Sequence, residues 1–321
     1  MVSCVPTKPL GIQEHKIFMP IAIKSRPALH RVGVQLEGAT DYNQPYLIPG
    51  STVERQVFWY KIEEERGVLN WPSKLDADIR ALESYPLVLN IKTTPTWARQ
   101  YAGYVCSPPA EHYYYDYAMF VVSVIDRYHP NAVEIWNEPE THASGIDPNS
   151  PLMGCWPNRL TYFQAGKLYG EFVDYVYNIV HAYHPSVYIM AGATLLDPFS
   201  KKAEFTEGML STQPNYDVYS IHSYLTYPKM DYKQVLRQLD FLRRYGVDKP
   251  IWITETSLLC DGDCGGSFEK AQADYAHYIF NLDLVDHVLW YTLYGNGWRN
   301  SDLAYARMKK PAWYVYEEML R

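Results

Sequence analysis

The sequence predicts an α/β chain folded as a single (β/α)8 TIM barrel. Three observations lead there. Apolar runs of strand length alternate with longer helical stretches along the 321 residues, the pattern of a parallel sheet covered by helices. The strand candidates number eight, which is the number that closes such a barrel. No Gly-rich phosphate loop follows the first strand, so an open doubly wound sheet is the weaker choice.

The strand candidates, in chain order, are Arg31–Glu37, Val57–Ile62, Leu87–Lys92, Ala132–Trp136, Val187–Ala193, Asp217–His222, Ile251–Glu255 and Val288–Tyr294. Each is a short apolar run bounded by turn formers or charge. The helical stretches between them are Ser73–Tyr85, Glu111–Tyr128, Arg159–Tyr183, Lys201–Leu210, Tyr232–Tyr245 and Phe268–Leu284, and Ala312–Leu320 closes the chain. Between the first two strands only Thr52–Gln56 carries a weak helical signal. The 22 prolines are spread along the chain and mark loops, not a domain boundary. Residues 1–29 are read as an N-terminal extension packed on the barrel, with His15–Lys24 as a strand or plug at its bottom, and residues 30–321 as the barrel.

Composition narrows the function. The net charge of −7 implies no basic surface, so neither nucleic acid nor an anionic membrane is expected as a partner. No window approaches the apolar length of a membrane span. Met1-Val2-Ser3-Cys4-Val5-Pro6 shows no basic segment followed by an apolar one. Localisation is therefore read as cytoplasmic, or secreted with a leader absent from this chain. Aromatic residues reach 15%, with 30 Tyr and 9 Trp. Their flat apolar faces and polar tips suit sugar rings as well as packing. No His spacing fits a metal site, and Asp261-Gly262-Asp263-Cys264 reads as a turn more than a calcium loop, so no cofactor or metal is expected. Of the five cysteines, Cys260 and Cys264 can bridge within one loop. Cys106 can reach Cys155 across neighbouring loops, which leaves Cys4.

In a barrel of this kind chemistry sits where strands end. The fourth strand candidate ends in Asn137-Glu138-Pro139 and the seventh in Glu255. Two carboxylates facing each other across a barrel mouth are the equipment for cleaving a glycosidic bond: one delivers a proton, the other attacks. The loops at 139–158 and 256–267 would wall that mouth. Glu134-Ile135-Trp136-Asn137-Glu138-Pro139, together with Trp252-Ile253-Thr254-Glu255, resembles the acid/base and nucleophile strands of clan A retaining glycoside hydrolases. The Glu-x-Trp-Asn-Glu-Pro form is similar to glycoside hydrolase family 39, with families 5 and 51 as close alternatives. Glu63-Glu64-Glu65-Arg66-Gly67 through Trp71, and Thr94-Pro95-Thr96-Trp97, also resemble clan loops.

The resemblance implies Glu138 as general acid/base and Glu255 as nucleophile, acting by double displacement on β-linked or α-L-arabinosidic bonds of an oligo- or polysaccharide. It implies Asn137 at the sugar 2-hydroxyl, Tyr224 hydrogen-bonded to the nucleophile, and His222 lining the sugar site. Trp290 is implied as the subsite floor. Trp97, Trp136 and Trp298 are further substrate-binding candidates, and Glu134 is read as a structural barrel residue. A carbohydrate-binding barrel that has lost hydrolysis is the alternative. Sugar specificity and oligomeric state stay open.

Overall fold

The computed structural model describes residues 26–142, 147, 149–262, 264–295 and 298–321. Eight strands close a barrel in sequence order: β1 Val32–Gln35, β2 Thr52–Phe58, β3 Leu87–Lys92, β4 Ala132–Ile135, β5 Tyr188–Thr194, β6 Val218–Thr226, β7 Ile251–Leu259 and β8 His287–Tyr291. Every neighbouring pair is parallel, and β1 closes on β8 with Gln35 opposite Tyr291. The helices are α1 Thr40–Asn43, α2 Trp59–Ile62, α3 Ser73–Arg80, α4 Tyr114–Tyr128, α5 Tyr162–Tyr183, α6 Lys202–Ser211, α7 Lys233–Arg244, α8 Gly265–Phe280 and α9 Pro311–Glu318.

One element departs from the sequence reading. The second strand is Thr52–Phe58, not Val57–Ile62, and the stretch expected to be helical is its body. Trp59–Ile62 is instead the short turn of helix that follows. Glu54, Arg55 and Gln56 look solvated in sequence. In the barrel Glu54 is fully buried, and Arg55 is buried against the carbonyls of Leu36 and Gly38. Their polarity hid the period-two alternation around Val53 and Val57.

Inside the barrel, side chains stack in layers. The N-terminal layer is apolar: Val88, Ala132, Met190, Val218 and Trp252, with Leu29 packed beneath. Arg26 also anchors the entering chain, donating to the carbonyls of Leu82, Tyr85 and Tyr128. The earlier residues, including Cys4 and His15–Lys24, lie outside the described residues.

Outside the barrel the aromatic excess fills the space between strands and helices. Trp136, Trp156, Tyr117, Tyr169 and Phe172 form one cluster with centroid spacings of 4.9–6.3 Å. The two tyrosines use their hydroxyls on strand-end carbonyls. Tyr117 donates to Ile91 O and Tyr169 to Ile135 O, both at 2.6 Å. The Ile91 carbonyl thus accepts twice, from the Tyr117 hydroxyl and from the Trp136 amide (2.9 Å).

Candidate active site

Glu138 lies just beyond β4 on a backbone that turns left-handed twice, at Trp136 (φ 77°) and at Glu138 itself (φ 41°). Such conformations cost energy in non-glycine residues and are held only where surroundings enforce them. Here the Glu138 amide donates to Ala193 O at the end of β5 (2.8 Å), and the loop after β4 folds back on the turn. Gly154 N reaches Asn137 O (2.9 Å), and Trp156 N reaches Pro139 O (3.3 Å). Position 154 must be glycine, because a Cβ there would stand 2.6 Å from the Trp136 indole nitrogen. A disulfide between Cys106 and Cys155 (Cα–Cα 5.3 Å) ties the same loop to the one after β3.

Glu255 is positioned by an irregularity in β7. The pairing runs Ile221 with Ile253 and then His222 with Glu255, so Thr254 is an extra residue. A bulge of this kind re-aims the following side chain, and it brings Glu255 to the face that His222 occupies. β7 and β6 both continue past the site, to Leu259 and Thr226. Glu255 and the His222–Tyr224 segment therefore lie within their strands, not at the ends where the sequence placed them. The wall after Glu255 correspondingly begins as strand, and the turn proper spans Cys260 to Cys264, which are joined. Asp261 in that turn is paired with Arg299 through two bonds of 2.7 and 2.9 Å, and Asp263 lies outside the described residues.

The two carboxylates meet over one histidine. His222 Nδ1 is 3.0 Å from Glu138 Oε1 and 3.4 Å from Glu255 Oε2, and the contacting atoms of all three residues lie within 4.8 Å of one another. Burial works against a charged imidazole, but Glu255 and Glu138 outweigh it and push the His222 pKa up to about 9. At neutral pH the ring is therefore an imidazolium shared by two acids. A protonated Nδ1 aimed at carboxylates holds the trio together by charge-assisted hydrogen bonds, which disfavours using it as a metal ligand set.

Burial raises the Glu255 carboxyl above its usual range. His222 counters this, Glu138 adds to it, and the Tyr224 hydroxyl and Lys92 counter it further. Tyr224 donates directly to Glu255 Oε2. Asn137, also buried, directs its Nδ2 to Leu152 O at 2.9 Å and keeps Oδ1 as a buried acceptor without a protein partner among the described residues.

The tryptophans divide differently from the sequence reading. Trp290 faces away from the mouth: it is fully buried beside Tyr275 and Phe280 and donates to Ser301 O (2.8 Å). The inward position on β8 belongs to its neighbour Tyr291, whose hydroxyl donates to Glu37 (2.6 Å) and whose ring stands edge-on to Tyr224. Trp136 is likewise in the outer aromatic layer, not at the sugar site. For Trp290 the reason is strand parity, since one step along a strand exchanges inside for outside. Trp136 shares the inward phase of Glu134, and the left-handed backbone at Trp136 (φ 77°) turns its ring outward. Trp97 is half-buried at the rim, donating to Glu63 O (3.0 Å) and packed edge-on to Trp59 and Tyr113. The Trp298 side chain lies outside the described residues. Glu134 is buried below the site, accepting from Asn90 Nδ2 (2.5 Å).

Lys92 was not anticipated. It ends β3 fully buried, on the inward face with Asn90. Its signal was present in sequence: Leu87-Val88-Leu89-Asn90-Ile91-Lys92 is a buried strand with two polar residues in phase.

Residues 114–310 match the family described as "Glycosyl hydrolase catalytic core", more than half of the chain. The chain belongs to this family of glycosidases. No curated protein sequence matches it. Among solved structures the glycosidase barrel is similar to a family 39 glycoside hydrolase from the gut symbiont Bacteroides cellulosilyticus, with a TM-score of 0.63 and 16% identity over 90% of this chain and 63% of that one. A psychrophilic family 10 endo-β-1,4-xylanase gives 0.63 and 14% over 90% and 96%. A family 128 endo-β-1,3-glucanase from Sorangium cellulosum gives 0.55 and 12% over 89% and 97%. These likenesses are to the fold. The chain spans under two thirds of the length of the family 39 protein. No described helix is long and apolar enough to cross a membrane.

Proposed function

We propose that this glycosidase hydrolyses β-linked (or α-L-arabinosidic) bonds of an oligo- or polysaccharide with retention of configuration. Glu138 acts as general acid/base and Glu255 as nucleophile. The observation that carries the reading is the close approach of the two carboxylates, whose oxygens come within 4.8 Å across His222. Retaining enzymes hold their carboxyl groups about 5–5.5 Å apart, and inverting enzymes leave about 6.5–9.5 Å for a water.

In the first step a Glu255 oxygen attacks the anomeric carbon as the Glu138 proton passes to the departing glycosidic oxygen. In the second, Glu138 takes a proton from water, whose oxygen displaces Glu255 and regenerates both groups. Tyr224 and imidazolium His222 hold Glu255 ionised for the attack. The Asn137 Oδ1 is placed to accept from a sugar hydroxyl.

The fold neighbours make β-1,4-xylan and β-1,3-glucan the first substrates to assay, with wild type beside E138Q and E255Q. Each variant should lose at least about 10³-fold in kcat while remaining folded. The first product anomer, followed by proton NMR, should be β for a β-linked substrate. An initial α-anomer, or an E255Q variant with wild-type turnover, rejects the mechanism. Glycan binding without cleavage by the wild type would favour a sugar-binding barrel.

A further inference from the structure

Lys92 is a buried ammonium in a site that needs negative charge. It projects from the end of β3 and is 1% exposed. Its Nζ donates to Leu152 O (2.8 Å) and lies 5.4 Å from the Phe58 ring centroid. The same Leu152 carbonyl accepts from Asn137 Nδ2 (2.9 Å). One acceptor on the loop after β4 is thus gripped by β3 and by the residue preceding Glu138.

An ammonium is taken out of water only where other charges compensate it. The opposing field at Lys92 comes first from Glu255 on β7 and Glu138 beyond β4, and then from Glu37 beyond β1. Desolvation nevertheless draws its pKa down to about 8, so it is a cation at neutral pH.

We propose that Lys92 is a positioning residue of the site: its charge helps keep Glu255 ionised, and its grip on Leu152 sets the wall that carries Asn137 and Glu138. The proposal rests on the assignment of Glu255 as nucleophile. The titratable groups that act on Glu255 are His222 and Tyr224 from β6, in contact with it, and through their charge or polarity Glu138 beyond β4, Tyr291 from β8, Glu54 from β2 and Lys92 from β3. Lys92 and the imidazolium of His222 are the cations acting on Glu255 among these groups. Removing it strengthens proton binding at Glu255, so the Glu255 midpoint must rise. By reciprocity, removing the Glu255 charge must lower the Lys92 midpoint.

The test is a titration by carbon NMR of protein labelled at glutamate Cδ and lysine Cε, with resonances assigned by their loss in E255Q and K92M. In K92M the Glu255 midpoint should rise by about half a pH unit or more, roughly threefold in proton affinity, and K92R should restore it. In E255Q the Lys92 midpoint should fall from about 8. A Glu255 midpoint unmoved in folded K92M, or a Lys92 midpoint unmoved in E255Q, overturns the proposal. A purely structural lysine would change Tm and leave both titrations alone. The E255Q arm leaves Lys92 intact and decides the matter even where K92M does not fold. Turnover enters neither titration, so failure here is distinct from failure of the retaining mechanism, which the E255Q assay reads.

Discussion

At the N-terminal end of the barrel, Val88, Ala132, Met190, Val218 and Trp252 point inward and pack on one another. One alternation step along the same strands, the inward positions are Asn90, Glu134, Ser220 and Thr254, all buried. Another step reaches Lys92 on β3 and His222 on β6, with Glu138 and Glu255 converging on them. The dry end and the charged end are thus made by the same strands, and the fold fixes which residues face inward without fixing their polarity. The apolar end can hold the barrel closed while the other end carries buried charge at a cost.

If that division holds, truncation at the dry end should damage stability and spare chemistry. Trp252 is 2% exposed and packs on His287 at 4.1 Å. W252A should cost about 3–5 kcal/mol in urea unfolding, with kcat per folded molecule kept within about threefold, an estimate for a site remote from the chemistry. Loss of kcat at unchanged stability would mean that the two ends are not separable.

A smaller effect is expected at the wall of the charged end. Cys106 and Cys155 are joined across a sequence separation of 49, and such a cross-link stabilises by about 2–4 kcal/mol, chiefly by restricting the unfolded chain. The C106S/C155S double variant should melt lower than wild type. Reductant should bring wild type down at least as far, since it also opens the Cys260–Cys264 bridge. A wild-type Tm indifferent to reductant would exclude the bridge as a stabilising element.

The division also explains what the sequence made legible. Strands β3 and β4, and the meeting of Glu138 and Glu255 in one site, could be read because carboxylates stand out against apolar runs. Strand β2 could not, because Glu54 and Gln56 on one face and Arg55, paired with Asp78 of α3, on the other imitate a solvated segment. Trp290, implied by the resemblance, and Trp136 both lie in the outer layer, the first by strand parity and the second through its left-handed backbone. For Trp290 the correction was one residue away, at Tyr291. The Thr254 bulge that aims Glu255 has no sequence signature, since it arises from the register between β6 and β7. Lys92 was legible in principle: a lysine in phase with Asn90 on a buried strand has nowhere to go but the barrel mouth.

The smallest effect tests what the polar interior costs. Glu54 is fully buried, and its two carboxyl oxygens have no hydrogen-bond partner among the described residues. Desolvation first, then Glu134 and Glu255, hold its pKa well above the usual carboxylate range, with Lys92 opposing. The folded state therefore binds this proton more tightly than the unfolded chain, where a glutamate titrates near about 4.3. Below that pH both states are protonated and Glu54 carries no pH-dependent penalty. As pH rises above it, the unfolded chain can ionise while the folded chain cannot, and stability falls until the folded pKa is reached. E54Q keeps the shape and removes the titration. Its stability relative to wild type, from urea unfolding across a pH series, should be nearly level at about pH 4 and should gain about 1 kcal/mol or more by about pH 8. The scale follows from proton affinity, of which each tenfold difference between folded and unfolded chain is worth about 1.4 kcal/mol. A difference that stays flat with pH would show that Glu54 ionises as readily inside the barrel as outside. The charged end would then begin one layer deeper than the present division places it.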